Sequence, residues 1–242
     1  VLPNQRYSVA DYNKDALKAI DEIIKKGKTP IVVGGTGLYV NSLIYGIEYS
    51  DIEVDIEYRE KLEKIAKLEG IERLYEMAKE IDPEAIKNIS KNDQKRICRI
   101  LEIYHTTGKN KTEQEKESRK NGPKYQYLLY GITMDREKLY DRINKRVDIM
   151  INDGLIEEVQ NIVKKYDEFP TAMQGLGYKE VVEYLNGITT KEEMIEKIKM
   201  ETRRYAKRQL TWFKKCENIK WINGLDDIQN NIKIILEEYG EK

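Results

Sequence analysis

The spacing of apolar residues predicts a chain of mostly amphipathic helices with a few short strands. Between Ser8, a suitable N-cap, and Gly27, apolar residues recur at the helical period. The run Ile31–Val33 is apolar without alternation, as in a parallel strand buried on both faces. Two glycines follow, and Thr36 stands where the N-cap of a helix reaching Ile44 is expected.

The composition changes after Gly46. Residues 47–91 are rich in Glu, Lys and Ile and predict short amphipathic helices separated by Gly70 and by Asp82-Pro83. We interpret them as a helical insertion, whose C-terminal end the pattern does not define. Further helices are predicted near 93–107, 136–153, 156–165, 178–186, 190–215 and 228–239, and strands near 125–133 and 221–222. Strands alternating with helices indicate an α/β fold with a parallel core sheet, formed by residues 1–46 and 92–242.

The composition argues against several kinds of protein. The 242 residues have no net charge, so a nucleic-acid site must come from local basic faces rather than from a global field. Two cysteines, Cys98 and Cys216, and the single histidine, His105, fit neither a zinc site nor a disulfide framework. Nothing in the sequence suggests a partner for His105, which we expect to be structural. No apolar run approaches the ~20 residues of a membrane span and no signal peptide is evident, so we expect a cytoplasmic protein with no membrane partner.

The turn from Gly34 to Gly37 allows two interpretations. Free N–H groups and the positive end of a helix dipole converge at such a turn and can bind an anion. The glycines can equally be needed because a strand and a helix pack closely there. The local sequence does not choose between the two.

Two basic faces are candidates for binding phosphate. Lys95, Arg96 and Arg99 fall within about 100° of one another on their predicted helix, where the alternative is an ordinary solvated face. Arg142 and Arg146 are one turn apart, and Arg146 borders the stripe of its helix predicted to be buried. We therefore expect its guanidinium to be partly shielded and to bind either an acid, in a salt bridge, or an anion. On the helix of Lys95, Arg96 and Arg99, the opposite side is apolar and consists of Ile97, Ile100, Leu101 and Tyr104.

A third basic face lies on the helix near 190–215, where Lys207 and Arg208 are candidate phosphate contacts. Tyr205 and Trp212 are interleaved with the basic residues, and aromatic rings among cations can stack on bases. The two rings are seven positions apart, which is the spacing of a core stripe, so we expect them to pack in the core.

Several segments resemble, in family order, the signatures of tRNA dimethylallyltransferases, also called tRNA isopentenyltransferases. They read YSVADY (7–12), PIVVGGTGLY (30–39), NDQKRICR (92–99), RINKRVD (142–148), GYKE (177–180) and AKRQLTW (206–212). One such match would be weak, but this many at compatible spacing are very hard to produce by chance.

The resemblance implies a fold and an activity. The fold would be a P-loop-NTPase-like parallel sheet flanked by helices, with a mostly helical insertion. The enzyme would transfer a dimethylallyl group from dimethylallyl diphosphate to N6 of the adenine 3′-adjacent to the anticodon (position 37), in tRNAs that read codons beginning with U. It would bind Mg²⁺ mainly through its P-loop region and the diphosphate, recognise the tRNA anticodon stem-loop, and act as a monomer when complete.

The resemblance also implies roles for single residues. Arg146 matches the arginine that binds the diphosphate and assists its departure, and Arg142 is a second candidate for the same group. The positions that match tRNA contacts, together with the basic pair on the third face, are Thr36, Arg59, Lys95, Arg96, Ile97, Cys98, Arg99, Thr171, Ala172, Met173, Gln174, Lys207 and Arg208.

Two elements of the family pattern do not occur in these residues. There is no P-loop string G-x-x-x-x-G-K-[ST], and no Ser-x-Asp-Ser segment whose Asp would be the general base. We expect the reading frame upstream of Val1 to encode both, and we expect a sheet without the P-loop strand to leave an unpaired edge and exposed apolar surface. The alternatives to the transferase are a catalytically inactive tRNA-binding fragment and a P-loop-type kinase of small molecules.

Overall fold

The computed structural model describes residues 1–49, 55–169 and 171–240, so residues 50–54 of the predicted insertion lie outside the described residues. Helices form at each of the predicted places. They are α1 (Val9–Lys25), α2 (Gly37–Ile44), α3 (Ile56–Glu69), α4 (Ile71–Ile81), α5 (Pro83–Ile86), α6 (Gln94–Thr107), α7 (Lys111–Ser118), α8 (Arg136–Asn152), α9 (Leu155–Lys165), α10 (Tyr178–Leu185), α11 (Lys191–Phe213) and α12 (Ile228–Gly240), with a short 3-10 helix at Ala172–Gln174.

Two strands, β1 (Leu129–Thr133) and β2 (Ile219–Asn223), pair in parallel. Their register places Gly131 opposite Trp221, and a methyl group at Gly131 would lie 2.7 Å from the indole ring. A glycine is therefore needed where the ring crosses the neighbouring strand. A mostly helical chain with a small parallel sheet confirms the predicted α/β class.

The chain divides into two compact units. We call residues Val1–Tyr12, Gly27–Val40 and Gln126–Lys242 the sheet unit, because it contains both strands. Residues Asn13–Lys26 and Asn41–Tyr125 are the helical unit. The helical unit is larger than the predicted insertion of residues 47–91, since it also contains α6 and α7.

The core of the helical unit explains that difference. α6 presents Ile97, Ile100 and Leu101 to a cluster that also contains Leu62 of α3 and Leu74 of α4, and all five are fully buried. A helix whose apolar face is buried against α3 and α4 cannot belong to another core. The packing of its apolar face therefore places α6 in the same unit as α3 and α4. The predicted domain boundary at residue 91 stays a prediction.

The sheet unit has its own core between α8, α9, α10 and α11. Val147 of α8, Val159 of α9, Val181 of α10 and Ile198 of α11 are buried together. Lys199 of α11 also pairs with an acid of α8 at 2.8 Å, which holds the two helices at their surface.

The predicted strand Ile31–Val33 is wrong for the described residues. Ile31 is 82% exposed and Val33 is 90% exposed, and no strand among the described residues pairs with this segment. A strand exists only through hydrogen bonds to a neighbour, so an apolar run without one stays irregular. Ile31, Val32 and Val33 therefore leave apolar surface exposed.

Among the residues that the structure describes, no helix is long and apolar enough to cross a membrane.

Candidate functional site

The first basic face lies at the start of α6, in the helical unit. Asp93 is the N-cap, and its carboxylate accepts a hydrogen bond from the backbone N–H of Arg96 at 3.1 Å. The side chains of Lys95 and Arg96 are exposed. Ile97 has no exposed surface and Cys98 is half-buried against the core cluster. Any contribution of Ile97 to RNA binding therefore comes through the packing of α6 rather than through contact.

A buried carboxylate joins this face to α3. The Nε of Arg59 donates to Oε1 of Glu102 at 2.7 Å, and Nη1 of Arg99 lies 3.5 Å from Oε2 of the same residue. The hydrogen bond to Glu102 is the main reason that the pKa of Arg59 is raised above its usual value. The structure thus brings together two residues that the sequence proposed separately as tRNA contacts.

His105, for which the sequence suggested no partner, contacts two residues. Its Nε2 lies 3.0 Å from Oδ2 of Asp55, and its ring stacks on Tyr58 with 3.8 Å between ring centroids. Asp55 is also the N-cap of α3 and accepts from the N–H of Tyr58, which explains why the three residues meet. Tyr104, the last residue predicted for the apolar side of α6, is 44% exposed, so the buried side of this helix ends before it.

The second basic face lines an open depression of about 580 Å³ in the sheet unit. The depression is lined by charged residues of α8 and by apolar residues of α8, the preceding loop and the segment after β2, namely Met134, Lys138, Asp141, Arg142, Lys145, Arg146, Ile149 and Leu225. The expected shielding of Arg146 is wrong, because Ile143 and Val147 form the buried stripe of α8 and Arg146 points away from it into solvent.

The charges of this depression suit an anion with an apolar part. The side chains of Arg142 and Arg146 form no ion pair or hydrogen bond within the described part of the chain, so the salt bridge, one of the two alternatives for Arg146, is not found there. Two guanidinium groups one turn apart can each offer parallel N–H donors to phosphate oxygens. Ile149 and Leu225 supply apolar surface beside them.

The glycine turn is packed against α11 within the sheet unit. Nε2 of Gln209 donates to the carbonyl oxygen of Gly35 at 2.8 Å, and a methyl group at Gly37 would lie 2.3 Å from Cδ1 of Trp212. The glycines at 35 and 37 are therefore needed for close packing, as one of the two interpretations proposed. Thr36 is exposed beside them, and α2 begins directly after it. Anion binding at this turn stays a prediction.

Gly37→Ala is expected to lower the free energy of unfolding by about 1 kcal/mol, because the added methyl group displaces the Trp212 ring. Gly34→Ala is the matched control, since no atom lies within 4 Å of a methyl group placed there. The measurement is urea denaturation followed by tryptophan fluorescence. Equal stability of the two variants would show that the indole moves aside without cost.

The third basic face leaves its aromatic rings exposed. Tyr205 is 39% exposed and Trp212 is 43% exposed, so the expectation that both pack in the core is wrong. The seven-residue spacing does place them on one side of α11, but that side is only partly covered. The guanidinium of Arg208 lies 5.7 Å from the centre of the Tyr205 ring, and Lys207 is exposed next to it.

In the segment Thr171–Gln174, residues Ala172–Gln174 form a short 3-10 helix before α10, and Thr171 is its N-cap. Thr171 and Gln174 are exposed, Ala172 is half-buried, and Met173 packs against the core of the sheet unit. The next helix is fixed at its start, because Tyr178 donates to a carboxylate of α9 at 2.6 Å. This hydrogen bond, together with burial, raises the pKa of Tyr178 to about 12.

Sequence reasoning missed several residues of these surfaces. Lys138 and Lys145 follow the helical spacing of Arg142 and could have been found from it. The contacts of Glu102 with Arg59, of Gln209 with Gly35 and of Leu225 with α8 could not, since they join residues far apart in the sequence.

The described residues offer no ready site for Mg²⁺. No group of three or more His, Cys, Asp or Glu side chains is arranged for a metal ion in this part of the chain. Mg²⁺ prefers several oxygen ligands in octahedral geometry, which these residues do not supply by themselves. The ion therefore stays an implication of the resemblance.

Comparisons with known proteins agree with one another. A family model described as IPP transferase matches residues 1–216. The tRNA dimethylallyltransferase of Acetivibrio thermocellus is 54% identical over 236 residues, covering 97% of this chain and 75% of that protein. That of Thermoanaerobacter sp. is 52% identical over 233 residues, covering 95% of this chain and 74% of that protein.

Two solved structures show the same fold. The tRNA isopentenylpyrophosphate transferase of Bacillus halodurans superposes with a TM-score of 0.68 at 38% identity, covering 99% of this chain and 75% of that one. The tRNA delta(2)-isopentenylpyrophosphate transferase of Staphylococcus epidermidis gives a TM-score of 0.67 at 38% identity, covering all of this chain and 79% of that one. With the family model and these relatives in agreement, the chain belongs to the tRNA dimethylallyltransferase family.

Proposed function

We propose that this protein modifies tRNA by transferring a dimethylallyl group from dimethylallyl diphosphate to N6 of the adenine 3′-adjacent to the anticodon. The substrates would be tRNAs that read codons beginning with U, recognised through the anticodon stem-loop. We further propose that the protein acts in the cytoplasm as a monomer. The alternatives of a small-molecule kinase and an inactive fragment are not favoured, because the matched proteins are named as transferases.

The depression on α8 is the observation that supports this most directly. A prenyl diphosphate has a strongly anionic head and a small apolar tail. The depression has the cations Arg142 and Arg146 beside the apolar side chains of Ile149 and Leu225. Charged and apolar groups side by side match both parts of this donor better than they match a nucleotide base.

The chemistry requires stabilisation of a departing anion. The bond between the dimethylallyl carbon and the diphosphate oxygen breaks, and its electron pair leaves with the diphosphate. The adenine N6 forms the new bond to carbon and gives its proton to a general base, which the resemblance places in the Ser-x-Asp-Ser segment. Arg146 would stabilise the charge that grows on the leaving oxygens, as preorganised donors do at other developing anions.

The nucleic acid would be bound by the exposed cations of the helical unit. Lys95 and Arg96 are exposed at the start of α6, and Arg59 and Arg99 lie beside them on Glu102. These cations suit contacts to phosphates rather than to base edges. The target base lies in a stacked loop and must leave the stack to reach the donor.

Prenyl transfer itself tests the proposal. The complete gene product is incubated with an anticodon stem-loop RNA and dimethylallyl diphosphate, and the RNA is digested to nucleosides for mass spectrometry. We expect the adenosine next to the anticodon to gain one dimethylallyl group, and ATP in excess not to replace the donor. An unmodified nucleoside in the presence of both substrates would reject the proposal.

The RNA-binding face gives a separate prediction. Replacing Lys95, Arg96 and Arg99 by Ala should weaken tRNA binding and flatten its salt dependence, because each lost phosphate contact lowers the log–log slope by about 0.7–0.9. Filter binding at several salt concentrations measures the slope. The matched control replaces three other exposed lysines, Lys25, Lys26 and Lys28, by Ala, which removes the same charge elsewhere on the surface. Equal slopes for the two triple variants would mean that the α6 face is merely solvated.

A further inference from the structure

Glu102 is a charged residue on the side of α6 that faces the core, and it has no role in the proposed function. Its side chain is only 9% exposed, whereas those of Arg59 and Arg99 are 38% and 43% exposed. A buried carboxylate costs free energy unless it is paired and hydrogen-bonded, and both arginines form ion pairs with Glu102. Residues of α3 and α6 are thus joined through one acid.

The geometry leaves most of both guanidinium groups available. The hydrogen bond from Arg59 uses Nε, and the contact from Arg99 uses Nη1. No other ion pair or hydrogen bond of these two side chains is found in the described ranges. An arginine held at one nitrogen can still present its remaining donors to a phosphate, and it has already lost the side-chain freedom that binding would otherwise remove.

We propose that Glu102 is a positioning residue for the RNA-binding surface, which holds Arg59 and Arg99 in place so that both face the phosphate backbone together. The inference rests on the proposed function, since it assumes that this surface binds tRNA. It concerns how tightly and through which residues the RNA is bound, and not the transfer of the prenyl group.

Neutralising Glu102 should change the affinity for RNA in opposite directions, depending on whether the residue positions the arginines or only adds a negative charge to the surface. Glu102 carries a negative charge that repels RNA, so if the arginines needed no support, neutralising it would tighten binding. If Glu102 positions them, neutralising it weakens binding although the surface becomes more positive. Glu63 is the matched control, because it is an exposed acid on α3 that acts on Arg59 only through its charge.

The experiment measures the Kd of the wild-type chain and its variants for an anticodon stem-loop RNA at fixed salt. Glu102→Gln keeps an acceptor of the same shape, and Glu102→Met fills the buried space without one. We expect Kd to rise about threefold for Gln and about tenfold for Met, because a neutral acceptor holds an arginine less firmly and a thioether hardly at all. Glu63→Gln should leave Kd unchanged or lower it. Melting curves identify any variant that has lost its fold.

A second measurement does not depend on the Glu102 variants folding. Arg59→Ala and Arg99→Ala alter partly exposed side chains, and their losses in binding should not add in the double variant if one carboxylate couples them. Additive losses, or Glu102 variants that fold and bind as tightly as the wild type, would overturn the inference. Absence of binding by the wild-type chain would instead reject the tRNA-binding surface itself, and the inference with it.

Discussion

Arg146→Lys is expected to lower the rate of prenyl transfer by about 100-fold in the complete gene product while leaving tRNA affinity nearly intact. Lysine keeps the positive charge but loses the planar group that holds two phosphate oxygens at once. The interaction strengthens as the diphosphate leaves, so the loss should appear in kcat and not only in the KM of the donor. Single-turnover transfer to an anticodon stem-loop RNA measures it.

The exposure of Arg146 makes this test direct. A side chain that contributes nothing to the core of α8 can be changed without loosening the helix, so the melting temperature should not move. Arg136→Lys is the matched control, because Arg136 lies on the same helix but bonds to Tyr140 at 3.1 Å and does not line the depression. Normal transfer by Arg146→Lys would show that the catalytic assignment is wrong. Equal losses in the two variants would point to α8 as a whole.

Gly46→Ala is expected to lower the free energy of unfolding by about 3 kcal/mol, the largest effect on stability that we predict. Gly46 has a positive φ of 58°, and a methyl group there would lie 1.9 Å from the carbonyl oxygen of Gly122. Backbone cannot rotate aside as a side chain can. Within the helical unit, the chain after Gly46 is also bonded to this region, because the N–H of Glu48 donates to the carbonyl oxygen of Ser118 at 2.9 Å.

A second glycine separates the two causes of the loss at Gly46, which are the positive φ and the clash with the backbone of Gly122. Gly108, at the end of α6, has a similar positive φ of 69°, but no atom lies within 4 Å of a methyl group placed there. Gly108→Ala should therefore cost only about 1 kcal/mol, which is the cost of the left-handed conformation alone. Urea denaturation followed by far-UV circular dichroism measures both. Similar losses would mean that the segment near Gly122 moves to accommodate the methyl group.

The helices could be predicted from the sequence because their causes are local. Gly108 and the N-cap Asp93 both lie next to the helix they bound, and Ile143 and Val147, which follow the apolar spacing of α8, are both buried. The same spacing failed for Trp212, because a stripe on one side of a helix is buried only where another element covers it. Periodicity describes one helix and contains no information on its neighbours.

The candidate site also divides into residues that the sequence could propose and contacts that depend on the folded chain. The family resemblance was enough to propose Arg59 and Arg99 separately, and to propose Arg146 for the diphosphate. It did not show that Glu102 joins the first two, or that Ile149 and Leu225 lie beside the third. Glu102 and Arg59 are distant in sequence, and so are Leu225 and Arg146, so only the packing of whole elements brings these pairs together.

By itself, the sequence determined the family, the succession of helices and the residue types available for binding phosphate. Each of these depends on neighbouring residues or on the sequence of the family motifs. The tertiary structure decided three other matters. Among the residues that the structure describes, it left Ile31–Val33 without a partner strand, it exposed Arg146 to solvent, and it buried Glu102 between two arginines. Strand pairing, exposure and the ion pair between Glu102 and Arg59 depend on residues far apart in the chain, whose relative positions become fixed only when the chain has folded.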